Sequence, residues 1–388
     1  MASVGIIVQK YGGSSLKTPA HLRRAAERIR QLKAQGKDVV VVVSAMGKMT
    51  DHLVKLAYKT VTSPRQRELD MLLTAGERVS MSLLAMALEA LEVPAISLTG
   101  SQSGIITTSE HTDAKILEIR GHRIRAALKK GQVVIVAGFQ GVSRQKEVTT
   151  LGRGGSDTTA VALAAYLRAE HCEVLTDVEG IFSADPRIVP KAKRLPALSF
   201  DLSIEFARLG AKMHARSLEL AKRFKVPLRI AASDSTGNEF TLINQVDLQE
   251  IEQTEVTGIA TESHWVTFEI EENWNTLCSW FERETGRIRF IHADKEHTRI
   301  TVNEAAQKAI ESQLNQRAAS FQCHPTASVG VVGNAVCERP QIESFLRIVS
   351  SKTPPMHFSS SSFSLVAVIP RSEATELSQA LHKHFLEP

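Results

Sequence analysis

Five consecutive valines, Val39 to Val43, constrain the fold more than any other stretch of this 388-residue chain. A run that is apolar on both faces belongs to a strand covered on both sides, as in a parallel sheet between helices. Val4-Gly5-Ile6-Ile7-Val8, Gln132-Val133-Val134-Ile135-Val136-Ala137 and Glu173-Val174-Leu175-Thr176 are further expected strands. Between them the pattern turns helical. Thr18 suits a helix cap and Pro19 its first turn, Leu22, Ala26, Ile29 and Leu32 repeat at helical spacing, and Gly36 closes the helix. The charges of Arg23, Arg24, Arg30 and Lys33 fall opposite that apolar stripe, as on a solvated face. Further helices are expected over Arg78–Leu91, Ala114–Lys130 and Thr158–Leu167. Residues 1–245 therefore form a layered α/β domain.

In such sheets ligands sit beyond the carboxyl ends of the strands. The polar clusters of this chain fall there: Lys10-Tyr11-Gly12-Gly13-Ser14-Ser15, Ser44-Ala45-Met46-Gly47, Gly138-Phe139 and Thr176-Asp177. The densest is Thr149-Thr150-Leu151-Gly152-Arg153-Gly154-Gly155-Ser156-Asp157-Thr158-Thr159-Ala160, between an apolar strand and an apolar helix. Its glycines allow close backbone approach, and the helix that follows points N–H groups and a partial positive charge back at the loop, which suits a phosphate or carboxylate. It is neither a Walker A loop nor a dinucleotide fingerprint.

Composition narrows the classes. Aromatics are only 5%, and the net charge of +5 is spread along the chain without a block of like charges, which argues against a nucleic-acid partner. The four cysteines lie far apart with no Cys-x-x-Cys pair, so free thiols in a reducing cytoplasm are expected rather than a zinc site. No secretory signal is expected at the N-terminus, and no apolar run approaching the roughly 18 residues of a membrane span.

Beyond about residue 245 the element order changes. Val266–Ile270, Thr276–Arg283, Arg287–Ile291, Thr298–Val302 and Ala305–Leu314 make one strand–helix–strand–strand–helix round. Val329–Val332, Gln341–Val349, Met356–Phe358, Ser364–Ile369 and Glu373–Phe385 make a second. Such βαββα units are similar to the ferredoxin-like motif, and the expected boundaries are 246–320 and 321–388.

Lys10-Tyr11-Gly12-Gly13-Ser14-Ser15 resembles the Lys-Phe/Tyr-Gly-Gly-Thr/Ser-Ser signature of aspartate kinases. Val43-Ser44-Ala45-Met46-Gly47, Leu73-Thr74-Ala75-Gly76-Glu77-Arg78, Val136-Ala137-Gly138-Phe139-Gln140-Gly141, the glycine loop, Thr176-Asp177-Val178-Glu179-Gly180-Ile181-Phe182, Ala184-Asp185-Pro186-Arg187 and Gly210-Ala211-Lys212 follow in that family's order. The resemblance covers residues 4 to about 235. It implies the amino-acid kinase fold, layered α/β/α with a mainly parallel central sheet, followed by two ACT modules. It also implies transfer of the γ-phosphoryl of MgATP to the β-carboxylate of L-aspartate, the first step of a biosynthetic route to lysine, methionine and threonine, in a cytoplasmic homodimer or higher homo-oligomer assembled through the ACT modules.

By the same resemblance Lys10, Asp157 and Lys212 are the catalytic residues, with Asp157 organising the two lysines. Lys10, Gly12, Gly13, Ser14, Ser44, Thr176, Asp177, Phe182, Arg187 and Lys212 would contact ATP. Arg153 would hold the α-carboxylate of aspartate and Glu77 its ammonium, with Ser44, Thr50, Gly154, Gly155 and Ser156 nearby. No protein metal cage is expected; Mg²⁺ would arrive on the nucleotide. Plainer readings stand beside these: Glu77 and Asp157 favour their own helix starts, Ser44 and Thr50 suit caps, and Phe182 suits a core. Another amino-acid kinase acting on a different carboxylate, and a non-catalytic amino-acid sensor, are the competing functions. The chain departs from the pattern after Lys212, where Met213-His214-Ala215-Arg216 is one residue shorter than the family's Val-Leu-His-Pro-Arg. Neither 270–276 nor 330–340 carries the Asp-x-Pro-Gly-type turn of effector-binding ACT modules, so weak or altered feedback control is expected.

Overall fold

A computed structural model describes residues 5–211, 213–235, 239–245, 256–281, 288–293 and 295–387. Val4, Lys212, Arg287 and the end of the helix expected to reach Arg283 lie outside them. The described residues form two compact units. One holds the chain up to Ile181, Arg194–Ile204 and the described residues of 213–245; the other holds Phe182–Lys193, Glu205–Ala211 and everything from Val256 onward. A boundary at 245 alone therefore misassigns two short segments.

The elements in chain order are β1 (Ile6–Tyr11), α1 (Pro19–Ala34), β2 (Asp38–Val43), α2 (Met49–Thr60), α3 (Gln66–Leu73), α4 (Ala75–Glu89), β3 (Ala95–Leu98), β4 (Ile105–Thr107), β5 (Ile116–Ile119), α5 (His122–Lys129), β6 (Val133–Ala137), β7 (Gln140–Ser143), β8 (Val148–Thr150), α6 (Gly155–Leu167), β9 (His171–Thr176), β10 (Ala197–Ser199), α7 (Phe200–Arg208), α8 (Ala215–Phe224), β11 (Leu228–Ala232) and β12 (Thr241–Asn244). The main sheet runs β10-β12-β11-β9-β1-β2-β6-β3. Only the β11–β12 pairing is antiparallel.

All five valines of β2 are fully buried. Val39, Val41 and Val43 pack with Leu22 and Ile29 of α1 and Leu84 and Leu88 of α4, while α6 covers the opposite face of β1 and β2. Each such side chain contributes roughly 1.5–3 kcal/mol by leaving water. The Thr18 hydroxyl caps α1 by accepting the His21 N–H, and Gly36 follows the helix at φ +77°.

Two expectations fail. Residues 114–130 are not one helix: Ile116–Ile119 join a small sheet of order β5-β4-β7-β8, and α5 starts only after Gly121. The pairing of Ile116 and Ile119 with β4 outweighs helical spacing, and a Cβ on Gly121 would lie 2.3 Å from the Tyr166 ring. A span-length apolar stretch also exists. Gln66–Glu89 is 24 residues, long and apolar enough by length and composition to cross a membrane. Leu73, Met81, Leu84 and Leu88 of that stretch are buried here, as in a core helix.

The second unit comprises β13 (Val256–Ile270), α9 (Trp274–Phe281), β14 (Ile288–Ala293), β15 (Thr298–Asn303), α10 (Gln307–Gln316), β16 (Phe321–Gly333), α11 (Arg339–Lys352), β17 (His357–Ser361), β18 (Ser364–Pro370) and α12 (Ala374–Leu386). The two expected rounds are present, fused into one six-stranded sheet of order β14-β15-β13-β16-β18-β17. Its first strands are far longer than expected. The start of β13 (Val256, Ile259) packs in a core with α11 and α12, and its end (Val266, Phe268, Ile270) packs with α10. The sheet curls, so that Phe290 and His292 of β14 lie 5.6 and 5.8 Å from the His357 ring of β17.

Ile135 is fully buried at the centre of β6. Ile135→Ala should cost about 2–5 kcal/mol, read from the urea-unfolding midpoint of the first transition. A loss below about 1 kcal/mol would contradict this core.

Candidate functional site

The carboxyl ends of β1, β2 and β6 open into a cavity of about 300 Å³ lined by Lys10, Gly13, Ser44, Ala45, Gly47, Thr50, Glu77, Phe139 and the run Gly152–Asp157. Lys10 is next to last in β1. Its Nζ lies 2.7 Å from Asp157 Oδ1, and both side chains are about nine-tenths buried. This contact is close but is not an aligned hydrogen bond, so Oδ1 has no hydrogen-bond donor among the described residues. Asp157 is the third residue of α6, where the helix end favours a carboxylate.

The loop that leads into α6 is shaped by glycine. Gly152 and Gly154 have φ of +74° and +71°, the left-handed region that favours glycine. A Cβ on Gly154 would lie 2.2 Å from the His214 ring, and one on Gly155 would lie 2.8 Å from the Phe139 ring. Gly138 is equally constrained, since a Cβ there would meet Ser156 and Val42 at 2.9 Å. These close approaches set the start of α6 against the end of β6. Arg153 stands exposed at the cavity wall, with no ion-pair partner among the described residues.

Glu77 sits in the first turn of α4 and is only 3% exposed. The Ala45 N–H donates to its Oε1 at 3.2 Å, whereas Oε2 is buried without a partner. Burial raises its pKa to about 7, although backbone N–H donors at Glu77 and Ala45 pull the other way. A buried carboxylate with an unpartnered oxygen, on a residue that lines a cavity, is suited to an ammonium. Arg153 and the first turn of α6, which line the same cavity, are suited to an anion. One cavity thus offers complementary ends for a zwitterion.

The remaining expected residues divide. Ser44 and Thr50 line this cavity. Ser14 and Asp177 instead line a neighbouring cavity of about 200 Å³ together with Tyr11, Lys17, His21, Arg24, Ser233 and Asp234. The Thr176 hydroxyl donates to Asp177 at 3.0 Å. The Gly12 N–H donates to Leu175 O at 3.2 Å, which ties the turn after β1 to the end of β9. Gly13 provides close packing instead, since a Cβ there would sit 2.8 Å from Ala45 O. Phe182 and Arg187 belong to the second unit, and Arg187 pairs with Asp185 at 2.6 Å. Lys212 lies outside the described residues. Among the described residues no three or more His, Cys, Asp or Glu side chains converge as metal ligands.

Two residues that the sequence reading named without assigning them a role bear on the site. Phe139 lines the cavity at φ +68°, held by a Thr159 hydroxyl that accepts its N–H; positive φ in a bulky residue is strained and has no sequence signal of its own. His214 packs on Gly154, and burial is the main cause that lowers its pKa. Its departure from the family's spacing was the available hint.

Comparison with known proteins places this geometry. The profile of the Amino acid kinase family matches residues 5–232. Aspartokinase of Mycolicibacterium smegmatis is 52% identical over 259 residues, 66% of this chain and 62% of that protein. Aspartokinase of Geobacillus stearothermophilus is 48% identical over 260 residues, 67% of this chain and 63% of that protein. The matched region thus spans about 62% of such curated relatives. Among solved structures, aspartate kinase from Synechocystis is 33% identical with a TM-score of 0.57, over 98% of this chain and 69% of that one. E. coli aspartokinase III, solved with aspartate and ADP, shares the fold at a TM-score of 0.80 and 22% identity, over 98% of this chain and 100% of that one.

The glycine loop can be tested by paired substitutions. Gly36 has φ +77° with nothing within 4 Å of a Cβ. Gly36→Ala should therefore cost only the left-handed backbone term, about 1–2 kcal/mol. Gly154→Ala should cost more in urea unfolding, because His214 must also move. Equal costs would mean that the ring yields freely.

Proposed function

Because the chain belongs to the amino acid kinase family, we propose that it is an aspartate kinase, transferring the γ-phosphoryl of ATP to the β-carboxylate of L-aspartate. The observation that carries this reading is the cavity with the unpartnered Glu77 oxygen at one end and Arg153 with the start of α6 at the other. The roughly 50%-identical aspartokinases and the aspartate and ADP bound to E. coli aspartokinase III support it.

The acceptor carboxylate titrates near 4 and is already an anion at neutral pH, so no general base is needed. One carboxylate oxygen bonds to Pγ as the bond from Pγ to the β–γ bridging oxygen breaks. The products are 4-phospho-L-aspartate and ADP, with no net proton transfer. The protein's task is to position two anions and offset their charge. Lys10 supplies a cation at the end of β1, and Asp157 holds it there. Arg153 and the first turn of α6 take the α-carboxylate, and Glu77 takes the ammonium. Lys212 is assigned the bridging-oxygen charge by family pattern alone. With no carboxylate cluster among the described residues, Mg²⁺ is proposed to ride on the nucleotide phosphates. Thr176 and Asp177, beyond β9, are proposed for the nucleotide side. The enzyme is further proposed to act in the cytoplasm, at the head of aspartate-derived amino-acid synthesis, as an oligomer assembled through the second unit.

Hydroxylamine trapping of acyl phosphate, with ATP and either aspartate, glutamate or N-acetylglutamate, tests the reaction; trapping with aspartate as the poorest acceptor would overturn it. Lys10→Ala and Asp157→Ala should each lower kcat by about two to three orders of magnitude, with only a modest loss of folding by circular dichroism. Near-normal turnover in either variant would remove it from the mechanism.

Glu77 adds a pH signature. With a pKa of about 7 in the free site it is largely neutral below that pH. Bound ammonium favours the carboxylate, so aspartate binding releases a proton. Affinity for aspartate should rise with pH through about 7 and then level off, as read by calorimetry in two buffers of different ionisation enthalpy. Glu77→Gln should bind more weakly, without that pH dependence.

A further inference from the structure

Asp70 is fully buried on α3, yet the reaction just described gives it no role. Its carboxylate collects donors from two separate loops. The Thr150 N–H and hydroxyl donate to it at 3.1 and 2.5 Å. The Thr112 N–H donates to both oxygens at 3.1 Å, and His111 Nδ1 lies at 2.8 Å. Thr150 ends β8 and immediately precedes the glycine loop.

Arg216, at the start of α8, grips the same two loops from another side. Its guanidinium donates to Leu151 O at 2.7 Å and to Ala114 O at 2.8 Å, and lies 3.5 Å from Asp113. Between the two grips the Ala114 N–H donates to Thr150 O at 2.9 Å. Thr112 O sits 2.9 Å from where a Gly152 Cβ would be. Residues 111–114 therefore form a backing for the strand end that carries Arg153.

Asp70 is also linked to Glu77, which lines the cavity, through its own helical stretch. Gln66–Glu89 is one nearly unbroken helical stretch, and Asp70 and Glu77 are seven residues apart, so they share a face. Glu77 and the Arg153 loop are thereby joined through a single buried carboxylate. We propose that Asp70, assisted by Arg216, is a specificity-determining positioning residue: it fixes the separation between the ammonium-binding Glu77 and the carboxylate-binding Arg153 loop, and so selects acceptor length. This rests on the aspartate kinase reading.

Asp70→Asn keeps the shape but replaces one acceptor oxygen by a donor. The KM for aspartate should rise about tenfold or more, while the KM for ATP stays within about twofold. The preference for aspartate over glutamate in kcat/KM should fall. In an Arg153→Ala background the same substitution should add little to the KM for aspartate, since both act through one loop. Arg216→Lys, which loses the fork but keeps the charge, should show the same pattern from the opposite side and serves if Asp70→Asn fails to fold. A fall in kcat with both KM values and the aspartate preference unchanged, or full additivity with Arg153→Ala, overturns the proposal. Amide hydrogen exchange separates it from the reaction itself. Residues 151–155 should exchange about tenfold faster in Asp70→Asn, with β2 unchanged. Wild-type protein inactive on every acceptor would refute the kinase reading, and faster exchange confined to that loop would still support the clamp. Unchanged exchange there would overturn it.

Discussion

The ion pair of Lys10 with Asp157 is the contact around which the N-terminal unit is arranged. A lysine at the end of a central strand, nearly nine-tenths buried, is costly unless an opposite charge is brought to it. Among the described residues α6 brings one, by reaching the strand ends with its first turn. That approach leaves no room for a Cβ at Gly138, against Ser156 and Val42, or at Gly155, against Phe139 and Leu151, while Gly154 makes way for the His214 ring. The glycines, the pair and the exposed Arg153 are thus one construction, in which helix placement follows from the need to satisfy a buried charge.

The two buried acids of the cavity meet opposite fates. Asp157 has a lysine at contact distance, whereas among the described residues Glu77 has only backbone donors and one oxygen with no partner. Burial without a counter-charge explains why Glu77 is held near neutrality while its surroundings remain polar. A protein gains nothing in stability from such an oxygen; a deficit of this kind is tolerated where a ligand's cation completes it. Among the described residues no cation pairs with Glu77, so a ligand's ammonium is the kind of group that would complete its bonding.

Local signals were legible in the sequence. The valine run, the Thr18-Pro19 start of α1 and the glycine loop before α6 depend on neighbours within a few residues, and all formed as the pattern dictates. Apart from Lys10 with Asp157, which the family resemblance implied, the interactions that join distant segments were not legible. Asp70 finds its partners 41 to 80 residues away, and nothing around it marks it as different from a surface helix acid. Residues 116–119 have helical spacing but pair as a strand, because β4 offers them an edge. Phe139 adopts its positive φ only because Leu151 and Thr159 hold its backbone from either side.

The second unit shows how the same limit applies to a repeat. The order of elements in each round was visible, but the length of β13 and β16 was not, because each strand serves two cores. In β16, Phe321 and Cys323 face one core and Ala327, Val329 and Val331 the other, all at odd positions and so on one face. In β13 the corresponding residues change parity, from Ile259 to Val266, Phe268 and Ile270. A straight strand would turn one set away from the helices. The register shift between Glu262 and Trp265, where β13 advances three residues against two of β16, supplies the single extra residue that restores the face. Each module's core then depends on a strand that continues into the other, so a boundary at residue 320 leaves Phe321 and Cys323 of β16, which pack on the first core, with the second module.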